Sequence, residues 1–257
     1  MRNFELLLVT MNQKNHRLID TMNVETNIVI ANQSDKFELQ QFMEENKEIK
    51  FITTNTKGVG KNRNIALLFS NADICLLADD DEIFYENYRE IILEAFNKII
   101  DADVLIFNVN MVNDNSHNRI NKKVIKINKF NFANYGAVRI AFKRESIMRK
   151  NIWFSTKFGG GAEFSSGEDS LFLKECLDKG LKIFAVPNFI ADVKQEESSW
   201  FEGYNEKYFI DKGAFISIAF PKTKYLIAIY FSLKFRKSED LNVFKIYSLI
   251  LEGIRSY

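Results

Sequence analysis

Short apolar runs bounded by polar residues mark the first third of the chain: FELLLV (4–9), TNIVIA (26–31), IKFIT (49–53) and ADICLLA (72–78). Their length and branched content predict buried strands. Between them, KFELQQFMEEN (36–46) spaces Phe37, Leu39/Gln40 and Phe42/Met43 as one helical face, and GKNRNIALLFSN (60–71) opens on Gly and closes before a strand. Strand–helix alternation of this kind predicts a parallel sheet covered on both faces. DADVLIFNVNM (101–111), VIKIN (124–128) and GAVRIAF (136–142) read as further strands, where the pairing loosens to mixed or antiparallel. EDSLFLKECLDKG (168–180) predicts an amphipathic helix with Gly180 at its C-terminal cap. From about Trp200 three helical segments follow, broken at Pro221 and at the KSED tract. The expected layout is an α/β body over 1–199 and a helical extension over 200–257.

Composition narrows the class. The chain has 257 residues, of which 46% are apolar and 27% charged, with 2 Pro. That balance suits a folded body with a sizeable core and argues against disorder. A net charge of +1 gives no reason to expect a nucleic-acid partner. The N-terminal MRNFELLLVTMNQ, interrupted by Glu5, reads as a first strand and not a signal peptide. The longest apolar run, YLIAIYFSL (225–233), is under half of the roughly 20 residues a spanning helix needs. Cys75 and Cys176 sit alone inside apolar runs, which fits reduced core thiols and a cytoplasmic protein.

One stretch breaks the apolar pattern sharply. ICLLADDDEIF (74–84) sets Asp79, Asp80 and Asp81 directly behind a strand, where α/β sheets place ligands. On extended backbone Asp79 and Asp81 would leave one face about 6–7 Å apart. Their repulsion at an effective dielectric near 20 is then about 2–3 kcal/mol, so a positive group is expected there. Carboxylates at a strand end suit Mg²⁺ or Mn²⁺ with a phosphorylated substrate completing the shell; a solvated turn ahead of a helix is the alternative.

Three other stretches carry candidate chemistry. FGGGAEFSSGEDSLF (158–172) permits close backbone approach to a ligand and opens a helix on Glu168 and Asp169. Asp169 suits a general base, while Ser165–Glu168 and Ser166–Asp169 also fit a capping box. TKGVGKNRNIALL (56–68) lacks the GxxxxGK[ST] pattern, which argues against a nucleoside triphosphatase of that type. Gly58, Lys61, Arg63 and Asn64 there suit a polar turn near a diphosphate or a helix cap. The tract 119–150 holds ten Lys/Arg and one acid, without the aromatic interleaving of a single-strand binder. It reads as a solvated basic face or as attraction for an anionic substrate. His16 and His117 have no partner at ligand spacing, which argues against zinc or a His-based triad.

In order along the chain, NIVIANQSD, GVGKNRNIAL, ADICLLADDDEIF and GEDSLFLKECLDKGLKIF resemble a family-two-type glycosyltransferase of the GT-A fold, over about residues 4–200. The resemblance implies a mixed, mainly parallel central sheet flanked by helices. It implies Asp81 as metal ligand, with Asp79 or Asp80 on the donor's ribose or the metal. Arg63 and Asn64 fall near the nucleotide-sugar pocket, Asp169 as catalytic base, and Glu168 on the acceptor or holding the base. The implied reaction is metal-dependent and inverting, from a nucleotide-diphosphate sugar to a saccharide or lipid-linked saccharide, in bacterial capsule or other surface polysaccharide synthesis.

Two departures from the family pattern stand out. ANQSD leaves Asn32 or Asp35 to meet the base, and Lys194 stands near the place where many relatives have a metal-binding histidine. From Pro221 to Tyr257, seven Lys/Arg face three Asp/Glu among many apolar residues. This composition suits peripheral contact with the inner face of an anionic membrane, packing on the body, or a homo-oligomer. The competing functions are a catalytically silent interaction protein and a nucleotidyltransferase. The latter is opposed by the absence of a Gly-rich basic loop after the first strand.

Overall fold

The computed structural model describes residues 3–112, 120–194, 203–236 and 241–257. β1 (Phe4–Met11) leads through the single-turn α1 (Leu18–Thr21) to β2 (Asn27–Gln33). β3 (Glu38–Glu44) and β4 (Lys47–Thr54) form a hairpin, and α2 (Val59–Phe69) crosses to β5 (Ile74–Asp79). The short β6 (Glu82–Phe84) precedes α3 (Tyr88–Lys98) and β7 (Val104–Met111). Next come β8 (Ile125–Lys126), β9 (Ile140–Lys143), α4 (Arg144–Arg149), α5 (Glu168–Asp178) and the long β10 (Ile183–Val193). Helices α6 (Glu206–Ala219), α7 (Lys224–Lys234) and α8 (Val243–Ser256) complete the described chain.

The strands make one mixed sheet in the order β3-β4-β2-β1-β5-β9-β7-β10-β6, with β8 on the flank of β10. β4, β2, β1 and β5 run parallel, while β9 is antiparallel to both β5 and β7. Alternation along each strand feeds two cores. Leu7, Val9, Val29, Ala31, Cys75 and Leu77 point to the face covered by α2, α5 and α6. Leu6, Leu8, Ile28, Ile30, Leu76 and Ala78 point to the face covered by α1 and α3. Continuous apolar runs are thus the signature of two-sided burial. Cys75 and Cys176 are free and buried, as their surroundings predict.

The predicted helix over 36–46 is instead the edge strand β3. Its residues pair antiparallel with β4 from Glu38↔Thr53 to Glu44↔Lys47. Glu45 and Asn46 both take left-handed conformations, with φ of 48° and 66°. They make the two-residue turn whose twist matches that of the flanking strands. Phe37, Leu39 and Met43, expected to face the core, are exposed. The open backbone of β4 outweighs the local helical spacing. The strand expected over 136–142 begins as a 3₁₀ turn, Ala137–Arg139, and only Ile140–Lys143 joins the sheet.

The three C-terminal helices share the core of the body. Phe209, Ala214, Phe215, Ile216, Ile246 and Ile250 belong to the same apolar cluster as Phe158, Phe164 and Phe172. α6 and α8 cross at a glycine pair. A Cβ on Gly213 would lie 2.1 Å from Ile250 O, and one on Gly253 would lie 1.9 Å from Ile210 O. A side chain at either position would force the helices apart.

Candidate active site

Parallel register aligns the carboxyl ends of the strands into one ridge. Val9 lies opposite Asp79, Thr10 opposite Asn32, and Asn32 opposite Thr53. β5 ends at Asp79, and Asp80 and Asp81 form the turn into β6, which pairs with the end of β10. The extended spacing expected for Asp79 and Asp81 is therefore broken by a chain reversal, and Asp79 and Asp80 turn to different partners. Asp80 is exposed and accepts a 2.5 Å hydrogen bond from Thr10 Oγ1. The Asp81 carbonyl accepts from Lys194 N at 2.9 Å, which brings the end of β10 against the acidic turn.

Asp79 meets the expected positive group inside the protein. Arg63, on the second turn of α2 and 3% exposed, donates from Nη2 to Asp79 at 3.0 and 3.3 Å. From Nη1 it donates to Glu168 Oε1 at 2.6 Å. Its cation also lies over the Phe154 ring, 5.7 Å from the centroid, an arrangement in which the ring face attracts the charge. Burial alone would lower the guanidinium pKa, but Asp79, Glu168 and Asp169 outweigh it and hold the charge firmly. One side chain thus ties the acidic strand end to the first residue of α5.

Asp169 follows on the same helix turn, half-buried, with its carboxylate facing Gly136: a Cβ there would lie 3.5 Å from Oδ2. Its Oδ1 accepts from Ser170 N at 2.6 Å. Burial first, and the Glu168 charge second, raise its pKa to about 7, with Arg63 opposing. That places Asp169 in the range where a carboxylate can take a proton at neutral pH.

The glycines and serines before α5 act differently from their sequence reading. A Cβ on Gly159 (φ 104°) would lie 2.5 Å from Val59 Cγ1 and 2.8 Å from Glu168 Cδ, so its close approach is to the chain's own side chains. The capping box does not form: Gly167 caps α5 without a side-chain hydrogen bond. Ser165 N instead donates to Asp211 Oδ2 of α6 at 2.9 Å.

The remaining candidates divide between ligand-facing and structural positions. Asn64 clasps the Phe154 backbone, donating to its carbonyl at 2.9 Å and accepting from its N–H at 2.8 Å. Asn32, fully buried, donates to Gln13 O and Thr53 Oγ1 and accepts from Gln13 N. Both amides position neighbouring backbone. Asp35 and Lys194 are exposed at the ends of β2 and β10. His16 contacts Glu44 at 2.7 Å, away from the acidic turn, and His117 lies outside the described residues.

Glu82 is a residue that the spacing of motifs does not single out. It is fully buried, and its Oε2 accepts from Asp79 N at 2.9 Å. Burial, then Asp79 and Asp81, push its carboxyl well above the usual range. Its signal lies in EIF, where alternation turns Glu82 inward beside Phe84. Among the described residues, no cluster of three His, Cys, Asp or Glu can hold a metal unaided. The donor set at the turn is hard carboxylate oxygen, with Asp79 and Asp80 already hydrogen-bonded. This fits a divalent cation shared with a phosphorylated substrate and does not fit a closed structural site.

A family model described as Glycosyl transferase family 2 matches residues 16–158. A search of curated proteins found no sequence match. Among solved structures, S. aureus TarS 1-349 in complex with UDP-GlcNAc is similar over 99% of this chain and 73% of that one, with TM-score 0.61 and 14% identity. TarS 1-349 in complex with UDP gives TM-score 0.59 at 13% identity, over 99% of this chain and 72% of that one. The longer S. aureus TarS gives 0.58 at 14%, over 99% of this chain and 44% of that one.

Proposed function

The chain belongs to glycosyl transferase family 2 and is a glycosyltransferase, and from this we propose that it uses a nucleotide-diphosphate sugar donor, an acceptor hydroxyl and a single inverting displacement. The carrying observation is the Arg63 bridge, which holds Asp79 and Glu168 to one guanidinium from positions far apart in sequence. It fixes a candidate base beside a candidate diphosphate site.

In this reading the donor lies along the carboxyl ridge of β4, β2, β1 and β5, with Asp35 and the Asn32-held Gln13 segment toward the base. Asp81, with Asp79 or Asp80, would hold Mn²⁺ or Mg²⁺, which supplies positive charge against the leaving diphosphate. Lys194, next to Asp81, adds a protein cation on the same side. Asp169 takes the proton of the acceptor hydroxyl as its oxygen forms the new bond to the anomeric carbon. The bond from that carbon to the diphosphate breaks, and one displacement inverts the centre. Glu168, fixed by Arg63, keeps Asp169 in place and raises its basicity. The body (1–199) then carries the donor and base, and the extension (200–257) closes the acceptor side. A thermal-shift panel of nucleoside diphosphates tests this: at least one should raise the melting temperature at concentrations above its Kd. If none does, the donor reading fails.

The reading extends to surface polysaccharide synthesis with a lipid-linked acceptor on the inner face of the membrane, and the part of it that α7 supports is the membrane contact. Leu226 (68% exposed), Tyr230 (58%) and Leu233 (53%) share its outer face with Tyr225 and Ile229, while Lys222, Lys224, Lys234 and Arg236 flank it. No acid lies between 221 and 236. No helix among the described residues is long and apolar enough to cross a membrane. Contact would therefore be peripheral, with apolar residues seated and basic residues on anionic headgroups. Flotation with phosphatidylglycerol vesicles should recover the protein, less so at high salt and not for Leu226→Glu/Tyr230→Glu. Equal recovery of that variant would exclude α7 as the contact.

A further inference from the structure

Helix α6 carries a cation that the transfer step above leaves unused. Lys212 Nζ lies 5.4 Å from the centroid of Tyr208, 5.3 Å from that of Phe215 and 5.7 Å from that of Phe231. Three π faces from α6 and α7 thus surround the ammonium. They answer its charge but not its three N–H donors. Among the described residues none accepts a hydrogen bond from it. The adjacent Asp211 is occupied, accepting from Lys207 Nζ at 2.6 Å and from Ser165 N at 2.9 Å. A second ammonium, Lys234 Nζ, sits 5.9 Å from the same Phe231 ring. Burial, with Lys234 adding to it, pulls the Lys212 pKa down against the opposing charges of Asp169 and Asp211.

The position of this group gives it a role. Asp211 ties α6 to the loop before α5, and a Cβ on Gly167 would lie 2.6 Å from Phe215 Cδ2. Lys212 lies between these two anchors on α6, the helix they hold to the loop before Asp169. Lys212 and Lys234 are thus two like charges held near one ring, that of Phe231.

We infer that Lys212, assisted by Lys234, forms an anion-binding acceptor subsite, so that the molecule presenting its hydroxyl to Asp169 carries a phosphate or a carboxylate. An oxyanion there would receive charge-assisted hydrogen bonds from Lys212 and relieve its repulsion with Lys234. This rests on the reading of Asp169 as the base. The phosphate could belong to a lipid-linked or phosphate-bearing saccharide, and the carboxylate to an acidic sugar.

Calorimetric titration of the full chain, first saturated with UDP and then without it, tests the subsite with glycerol 3-phosphate, methyl glucuronoside and neutral methyl glucoside. At least one anion should bind more tightly than the neutral glycoside. Lys212→Gln should weaken that anion by about tenfold or more, the effect of losing a charge-assisted hydrogen bond. Lys212→Arg, which keeps the charge but changes the shape of its donors, should bind the anion more tightly than Lys212→Gln does. UDP affinity should be unchanged in both. Lys234→Gln, at the surface of α7, should weaken the anion several-fold and serves if Lys212→Gln does not fold. Equal anion binding by wild type, Lys212→Gln and Lys234→Gln would overturn the subsite, as would a neutral glycoside binding equally well. Lys212-dependent anion binding by a protein that no nucleoside diphosphate of the panel stabilises would overturn the donor reading and leave the subsite standing; nucleotide binding without anion binding would overturn the subsite alone.

Discussion

Asp169→Asn should lower kcat for sugar transfer by about 10²–10⁴-fold, the usual contribution of a positioned general base, while nucleotide affinity stays within about twofold. The substitution keeps the shape of the side chain and its hydrogen bond from Ser170 N but removes the ability to take a proton. Because burial and Glu168 raise the Asp169 pKa to about 7, the wild-type rate should climb with pH. The base is protonated and inactive well below that value, ionised above it, and the rate reaches a plateau on the alkaline side. In Asp169→Asn the residual rate should lose this dependence. A catalytically silent protein would show neither the loss nor the profile. Unchanged turnover in the variant would remove Asp169 from the mechanism.

Arg63→Leu should be the most damaging substitution for stability. Arg63 is 3% exposed and bonds to two carboxylates, of which Glu168 is 11% exposed and Asp79 34%. Removing the cation leaves Glu168 buried beside Asp169 without its counter-charge, a kind of break that costs about 3–5 kcal/mol. Asp79 can turn toward water, so the lower end of that range is expected. For a chain of this size, that is a fall of roughly 6–12 °C in Tm. Arg63→Leu combined with Glu168→Gln should recover part of the lost stability, because the stranded charge is gone, but no activity. Differential scanning calorimetry of the three variants decides the matter. A loss below about 1 kcal/mol for Arg63→Leu, the size of an exposed ion pair, would mean that the bridge does not hold the site together.

The sheet was legible wherever burial on both faces wrote an uninterrupted apolar run, as in FELLLV and ADICLLA. It was illegible where an edge strand borrows its stability from a neighbour's backbone. KFELQQFMEEN carries helical spacing, and only the left-handed pair Glu45–Asn46 and the open edge of β4 make it a strand. At the candidate site, the charge density of ADDDE called for a positive group, and Arg63 supplies one to Asp79. That the cation was Arg63, and that Asp80 and Asp81 leave the strand in a turn, depended on tertiary contacts that spacing does not encode. Asn64 and Asn32 were legible as polar residues near the carboxyl ends of the strands and in the helix that follows, but their amides spend their hydrogen bonds on Phe154 and Gln13. Glu82 and Lys212 were missed because each matters through what surrounds it. One is a buried acid under a turn; the other is a cation among rings drawn from two helices.

In the proposed mechanism the acidic turn at the end of β5 would join a divalent cation to the diphosphate of a donor. The nucleotide panel, repeated with and without Mn²⁺ on wild type and on Asp81→Ala, bears on it most directly. Mn²⁺ should enlarge the nucleotide-induced rise in melting temperature for wild type and leave it unchanged for Asp81→Ala. An identical response of the two proteins to Mn²⁺ and nucleotide would contradict it.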